Sequence, residues 1–216
     1  MLSISPKSQN MRRTKEEAEQ TRNAILEAAV DVFTEKGVAR ATLEQIAKAA
    51  NVTRGAVYWH FKNKTDIFVA LHDELHRPFI QDLVDGLENT GDDPLQSLKS
   101  YCIELVTRLE DDLYLRRVLS LFLLKCDYTG SLQVCQERTI DARREKSEVL
   151  SKFFEKAQSK GTLSADLDPK TLTLALNCFM RGIAMEYLEN ADTMSIREEA
   201  PKLFSVFSES GINRFI

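Results

Sequence analysis

The sequence predicts an all-α protein, and three observations support that class. Apolar residues recur every three or four positions along most of the chain, the spacing that lines one face of an α-helix. The 216 residues include only 8 Gly and 5 Pro, whereas a β-rich protein of this length needs many marked turns. Residues that cap helix N-termini precede several apolar segments. We therefore expect a small N-terminal helical domain and a larger helical domain, with about nine helices in total.

The first helix is predicted to run from Lys15 to Lys36. Ile25 and Phe33 share its apolar face, and Gly37 is placed to end it. The preceding polar segment, 1–14, is expected to be a flexible tail.

Two short helices with a turn of about three residues between them are predicted over 42–61. Thr42 and Gln45 have the spacing of a capping box, and Thr53 is placed to cap the next helix. Asn51, in the turn, belongs to the few residue types that tolerate a left-handed backbone. This arrangement predicts a helix-turn-helix, whose second helix lies in a DNA major groove.

The stretch "TRGAVYWHFKNK" (53–64) crowds aromatic and cationic side chains onto one short helix. Val57 and Phe61 are four residues apart and are expected to point inward. Tyr58, His60 and Lys64 then form a polar rim. Their hydroxyl, ring N–H and ammonium groups are hydrogen-bond donors of the kind that bind phosphate oxygens.

The beginning of this helix is predicted to approach the bases. Arg54 stands where recognition helices reach base edges, and an arginine can bond guanine O6 and N7 together. Gly55 has no side chain to block the approach, and Trp59 is expected to be half packed and half at the interface. The hydroxyls of Thr42 and Thr53 are further candidate DNA contacts.

The charge pattern agrees with a DNA-binding N-terminal region. The net charge of the whole chain is −4, yet residues 40–64 contain five Lys or Arg and one acidic residue, Glu44. A local basic surface can bind a polyanion although the molecule is acidic overall.

The rest of the chain is also predicted to be helical. The fourth is predicted to start at Asn63, and later ones at Pro94 and Pro169. Three more cover "LYLRRVLSLFLLKC", about 131–158 and about 196–209. The stretch from Leu172 to Leu188 is apolar nearly all round, so either its own domain or a second subunit must cover more than one side.

The run "TRNAILEAAVDVFTEKGVARATLEQIAKAANVTRGAVYWHFKNKTDIF" resembles the DNA-binding domain of TetR-family transcriptional repressors. The segment "LSLFLLKCDYTGSLQ" resembles the sixth-helix region of the AcrR-type branch, which represses multidrug efflux pumps. On this basis 15–79 is expected to be the DNA-binding domain and 80–216 the ligand-binding and dimerisation domain.

The resemblance also implies roles for particular residues. Phosphate contacts fall to Thr42, Tyr58, His60 and Lys64, and base contacts to the neighbourhood of Thr53, Arg54 and Gly55. It further implies a homodimer, an inverted-repeat operator in double-stranded DNA, and a cavity in which a small-molecule inducer binds and releases the DNA. No cofactor is expected.

Candidate ligand contacts are fewer and rest on helical spacing. Leu119, Leu123 and Cys126 share one face of the sixth helix, which either lines a cavity or belongs to the core. Cys178 lies near Arg181 on one face of the later apolar helix. Arg181 is open to two interpretations: a cavity cation, or a residue in an ion pair or dimer contact.

Other readings receive less support. His72 and His76 are spaced like zinc ligands, but the segment lacks the metalloprotease motif, and a solvated helix face is expected instead. The four cysteines contain no C-x-x-C pair, which favours small core residues in a reducing cytoplasm over disulfides or zinc. No motif indicates an enzyme. A regulator that senses a specific metabolite, and a helical protein-interaction module, remain as alternatives.

Overall fold

The computed structural model describes residues 6–125 and 133–206, and within these ranges all regular structure is helical. The helices are α1 (Pro6–Lys36), α2 (Leu43–Ala49), α3 (Arg54–His60), α4 (Lys64–Glu88), α5 (Pro94–Asp111), α6 (Leu113–Ser120), α7 (Gln133–Ser159), α8 (Pro169–Asn190) and α9 (Ile196–Ser205). A π-helical turn, Leu121–Lys125, follows α6. The predicted all-α class is confirmed.

Three helix bounds differ from the prediction. α6 ends at Ser120 and passes into the π-helical turn, whereas the sequence predicts one helix over "LYLRRVLSLFLLKC". α1 begins at Pro6 and not at Lys15, so the helix extends into the predicted tail. Residues 7–14 contain no Gly or Pro to interrupt it. α9 ends at Ser205, and the remainder of the predicted last helix, 207–209, lies outside the described residues.

The described residues form two compact units. The first contains residues 6–72, 125 and 133–135, and the second contains 73–124 and 136–206. α4 therefore contributes its first part to one unit and the remainder to the other.

The first unit is built on apolar faces of α1 to α4. Fully buried side chains come from each helix: Ile25 and Phe33 of α1, Ile46 of α2, Val57 of α3, and Phe68 of α4. The rings of Phe33 and Phe68 meet edge to face, with centroids 6.2 Å apart. This core holds the two short helices, which would be unstable in isolation.

The turn between α2 and α3 is a Schellman motif. The N–H of Val52 donates to the carbonyl of Ala47 (3.0 Å), and the N–H of Asn51 donates to that of Lys48 (3.2 Å). Asn51 has a φ of 54°, in the left-handed region that this motif requires, as the sequence predicts. The motif ends α2 sharply and sets the direction in which α3 begins.

The second unit has its own core. Its buried residues include Leu83 of α4, Leu98 and Val106 of α5, Phe153 of α7, Tyr187 of α8 and Phe204 of α9. The Glu110 carboxylate, near the end of α5, accepts hydrogen bonds from the Ser195 hydroxyl (3.1 Å) and the Arg197 backbone N–H (2.9 Å). These bonds tie the end of α5 to the start of α9.

Candidate nucleic-acid interface

The orientation of α3 is fixed by a cap and two buried side chains. The Thr53 hydroxyl oxygen accepts a hydrogen bond from the Ala56 backbone N–H (3.1 Å), as predicted for an N-cap. Val57 and Phe61 are buried, and full burial of an apolar side chain contributes about 1.5–3 kcal/mol. A helix of only seven residues thus presents one defined face to the surroundings.

The outward face of α3 carries two aromatic side chains. Tyr58 is 46% exposed and Trp59 is 73% exposed. The expectation that Trp59 is half packed is wrong, because at about 100° per residue it lies nearly opposite the buried Val57. An indole presented in this way is available to an external partner.

Arg54 and Tyr58 form a pair on this face. They are four residues apart on the helix, and a guanidinium nitrogen of Arg54 lies 3.2 Å from the Tyr58 hydroxyl oxygen, to which it donates. The guanidinium carbon is 5.3 Å from the centroid of the Tyr58 ring. This hydrogen bond raises the pKa of Arg54 further. Arg54, which is predicted to contact bases, is therefore held in place by Tyr58, which is predicted to contact phosphate.

Neither packing nor backbone conformation within the described fold requires a glycine at position 55. A Cβ atom built at this position would have the Thr53 hydroxyl oxygen as its nearest neighbour, at 3.8 Å, an ordinary contact. Its φ is not positive. Glycine inside a helix costs about 1 kcal/mol relative to alanine. The fold would therefore accept a side chain at this position, and a close approach of DNA to Gly55 stays a prediction.

Thr42 and Lys64 border α3 from neighbouring elements. Thr42 forms the predicted capping box: its hydroxyl accepts from the Gln45 N–H (3.2 Å), and the Gln45 side chain accepts from the Thr42 N–H (3.1 Å). The hydroxyl proton of Thr42 remains free for an acceptor. The Lys64 ammonium donates to the carbonyls of Ala39 and Ala41, so it braces the α1–α2 loop besides bringing positive charge to this surface.

His60, at the end of α3, borders an open groove together with Trp59 and residues of α1. The groove is lined by Glu17, Ala18, Thr21, Ala56, Trp59 and His60. The rings of Trp59 and His60 meet at 90° with centroids 4.4 Å apart. Partial burial, and to a lesser degree the charge of Arg22, lower the pKa of His60 below 6.5. The imidazole is thus largely neutral at pH 7 and can donate one N–H.

The residues around α3 supply further positive charge. Lys48 and Lys62 are exposed, as is Arg54. The predicted DNA contacts on α3 therefore lie on one short helix within a basic segment of the chain.

The predicted ligand residues fall into two groups in the second unit. Leu119 and Leu123 are partly buried and pack against its core. Cys178 and Arg181 are exposed on α8. Cys126 lies outside the described residues.

Arg181 is exposed in the single chain, which leaves open the dimer contact that the sequence suggested. Arg181 lies seven residues from Leu174, which is 64% exposed, so the two share one face of α8. The core of the unit takes the opposite face, with Leu176, Ile183 and Tyr187. The apolar content of α8 alone did not reveal which of its faces packs on the core.

Two further expectations need correction. His72 is only 3% exposed, so it belongs to the core and not to a solvated helix face. Cys102 and Cys135 are buried, as expected of small core residues, but Cys178 is exposed. Among residues 6–125 and 133–206, no three His, Cys, Asp or Glu side chains group as metal ligands do.

Sequence reasoning missed Lys146 on α7. It stands three, four and seven residues before Val149, Leu150 and Phe153, all of which are buried in the core of the second unit. A lysine within the apolar stripe of a long helix was the signal that could have found it.

In the described part of the chain, no helix combines the length and hydropathy needed to cross a bilayer.

Two family models match this chain. The model described as bacterial regulatory proteins, tetR family, matches residues 25–71. The model described as MAATS-type transcriptional repressor, C-terminal region, matches residues 93–209. The first match contains α2 and α3 with all the candidate DNA contacts.

Individual relatives are similar in sequence over most of this chain. The HTH-type transcriptional regulator TtgR of Pseudomonas putida is 32% identical over 193 residues, which are 89% of this chain and 91% of TtgR. The crystal structure of NalD, the secondary repressor of the MexAB-OprM multidrug efflux pump in Pseudomonas aeruginosa, superposes with a TM-score of 0.81. It is 34% identical, covering 91% of this chain and 98% of NalD.

A third relative was solved with a small molecule. The SmeT–triclosan complex has a TM-score of 0.76 and 31% identity, covering 85% of this chain and 88% of SmeT. SmeT is the repressor of the Stenotrophomonas maltophilia multidrug efflux pump SmeDEF. With family models over both parts of the chain and relatives that match over most of its length, the chain belongs to the TetR family of bacterial regulatory proteins.

Proposed function

We propose that this protein is a ligand-responsive transcriptional repressor that binds an inverted-repeat operator and controls a multidrug efflux operon. The observation that carries the proposal is the outward face of α3, where Arg54 and Tyr58 are paired beside the exposed Trp59 and the unobstructed Gly55. The efflux assignment rests on relatives such as NalD and SmeT, which repress efflux pumps.

The contacts divide into two kinds. Arg54 at the start of α3, with Thr53 and Gly55, is assigned to base edges, because an arginine can bind guanine through two hydrogen bonds. The second kind, phosphate contacts, comes from Thr42, Tyr58, His60 and Lys64, with Trp59 packing against the sugar–phosphate backbone. Phosphate contacts position the helix, whereas base contacts select the sequence.

The exposed face of α8 is assigned to the dimer. Leu174 is 64% exposed, and Cys178 and Arg181 follow on the same face. Covering an apolar side chain of this size contributes about 1.5–3 kcal/mol to association. Two copies related by a two-fold axis would bind the two halves of an inverted repeat, one α3 in each major groove.

We assign operator binding to residues 15–79 and ligand binding with dimerisation to residues 80–216. The ligand shifts the protein towards a conformer whose two α3 helices no longer match the half-site spacing. A hundredfold loss of occupancy requires a preference of about 2.7 kcal/mol for that conformer. α4 is the candidate link, since it contributes residues to both compact units.

The inducer is proposed to be a small amphipathic molecule, and triclosan is a natural first choice because SmeT was solved with it. Leu119 and Leu123, which are partly buried, are candidate contacts. The protein is expected to act in the cytoplasm, where its operator is.

Footprinting of the DNA upstream of this protein's own gene and of the neighbouring operon tests the proposal. A scrambled fragment of the same composition is the control. We expect protection of an inverted repeat that disappears when an inducing compound such as triclosan is added. Absence of protection at low salt, where electrostatic binding is strongest, would overturn the proposal.

A further inference from the structure

Lys146 occupies an unusual position in the second unit. It lies on the face of α7 that carries the buried Val149, Leu150 and Phe153, and it is itself half-buried. Its ammonium nitrogen is 5.7 Å from the centroid of the Phe79 ring, a cation–π contact. Burying lysine is costly unless its charge is compensated.

The surroundings of Lys146 do not supply a counter-charge. Within residues 6–125 and 133–206, its ammonium forms a cation–π contact but no salt bridge or hydrogen bond to a protein group. The neighbours that act on it electrostatically are Arg143, Arg181 and the Cys102 thiol. Burial raises the pKa of Cys102 to about 12, so this thiol is neutral and offers no negative charge.

The consequence is a cationic cluster that lacks an anion. Burial in the first place, and then the charges of Arg143 and Arg181, lower the pKa of Lys146. The cation–π contact with Phe79 recovers only about 0.5–2 kcal/mol. An anionic group placed against the ammonium would compensate the charge, and charge-assisted hydrogen bonds are among the strongest that side chains form.

We propose that Lys146, with Arg143 three residues before it on α7, recognises the carboxylate or sulfonate of an amphipathic organic anion whose apolar body packs against Phe79. This inference rests on the proposed function, because it names the chemical class of the inducer. Cationic compounds are disfavoured at this site.

Two fluorescent probes that share a ring system test the anion preference. 8-Anilinonaphthalene-1-sulfonate carries a sulfonate, and N-phenyl-1-naphthylamine is the same skeleton without it. Both are titrated into the full-length protein. We expect Lys146→Met to weaken binding of the sulfonate about tenfold, equivalent to about 1.4 kcal/mol, and to change binding of the neutral probe less than about twofold.

Two matched variants separate charge from folding. Lys146→Arg keeps the charge and should retain the preference for the sulfonate. Arg144→Met removes a neighbouring cation that is exposed and paired with Asp141 (2.8 Å), so it should change neither probe. If Lys146→Met leaves the preference intact, or if wild-type protein binds both probes equally, the proposal is wrong.

Operator binding by the same preparations distinguishes this inference from the proposed function. The sulfonate should lower operator occupancy for the wild type, and Lys146→Met should need about tenfold more of it for the same effect. If the wild type binds no operator but Lys146 governs the probe preference, the anion site stands and the repressor assignment fails. If the operator is bound and Lys146→Met behaves as wild type with both probes, only the anion site fails.

Discussion

Replacing Gly55 with alanine should stabilise the protein and weaken its binding to DNA. The new Cβ atom would lie 3.8 Å from the Thr53 hydroxyl oxygen, its nearest neighbour, so the fold accommodates it without strain. Alanine is better than glycine in the middle of a helix by about 0.5–1 kcal/mol, which is an upper bound for Gly55 because it is the second residue of α3. For a chain of this length, a gain of 1 kcal/mol raises the melting temperature by about 2–4 °C.

The same methyl group would separate α3 from DNA if Gly55 faces the operator. A misfit of about one ångström at a close contact loses several favourable interactions at once. We expect operator affinity to fall at least about tenfold, which corresponds to about 1.4 kcal/mol. Stability and function therefore change in opposite directions, an outcome that general damage to the fold cannot produce.

The assay pairs thermal unfolding with fluorescence anisotropy on an operator duplex. Gly86→Ala is the matched control, because its Cβ would make an ordinary 3.7 Å contact with the Phe153 ring in the second unit. It should not weaken operator binding. An unchanged operator affinity for Gly55→Ala would refute the close approach, and a lower melting temperature would refute the argument that the fold does not need this glycine.

Three further predictions concern other parts of the molecule. Lys64→Ala should destabilise the first unit by about 1–3 kcal/mol in urea unfolding, because it leaves the carbonyls of Ala39 and Ala41 without their donor. Lys64→Ala should also weaken binding to operator DNA and to scrambled DNA by the same factor. Unchanged affinity for both would contradict a contact between Lys64 and phosphate. DNA affinity should rise as the pH falls towards the lowered pKa of His60 in the free protein. A bound phosphate would favour the protonated imidazole, so binding would take up a proton. Anisotropy titrations at several pH values should show this rise reduced in His60→Gln, and identical pH profiles would exclude a phosphate contact. If the proposed dimer uses the exposed face of α8, Leu174→Asp places a charge in its interface and should give monomers in sedimentation velocity where the wild type gives dimers. A profile identical to that of the wild type would move the interface elsewhere.

The local features of the helix-turn-helix could be predicted because each depends on a few adjacent residues. The capping box of Thr42 and Gln45, the cap at Thr53 and the left-handed Asn51 are all present in the structure. Val57 and Phe61, the second of which is the C-cap of α3, both point inward, as their four-residue spacing predicts.

Features that depend on distant parts of the chain were less predictable. Lys64 binds carbonyls more than twenty positions away, which no local pattern indicates. α8 is apolar nearly all round, so its sequence could not decide that Arg181 is exposed while Tyr187 is buried. His72 was assigned to a polar face, although the packing of α4 buries it.

The central claim is that α3 reads DNA sequence through Arg54. The most direct test is the ratio of affinities for the footprinted inverted repeat and a scrambled duplex, measured at one physiological salt concentration. We predict a ratio of at least about 1,000 for the wild type. The loss of a two-hydrogen-bond base contact in Arg54→Ala should reduce this ratio by about 1–3 kcal/mol, or roughly 5-fold to 150-fold. A wild-type ratio near one, or a ratio unchanged by Arg54→Ala, would contradict the account.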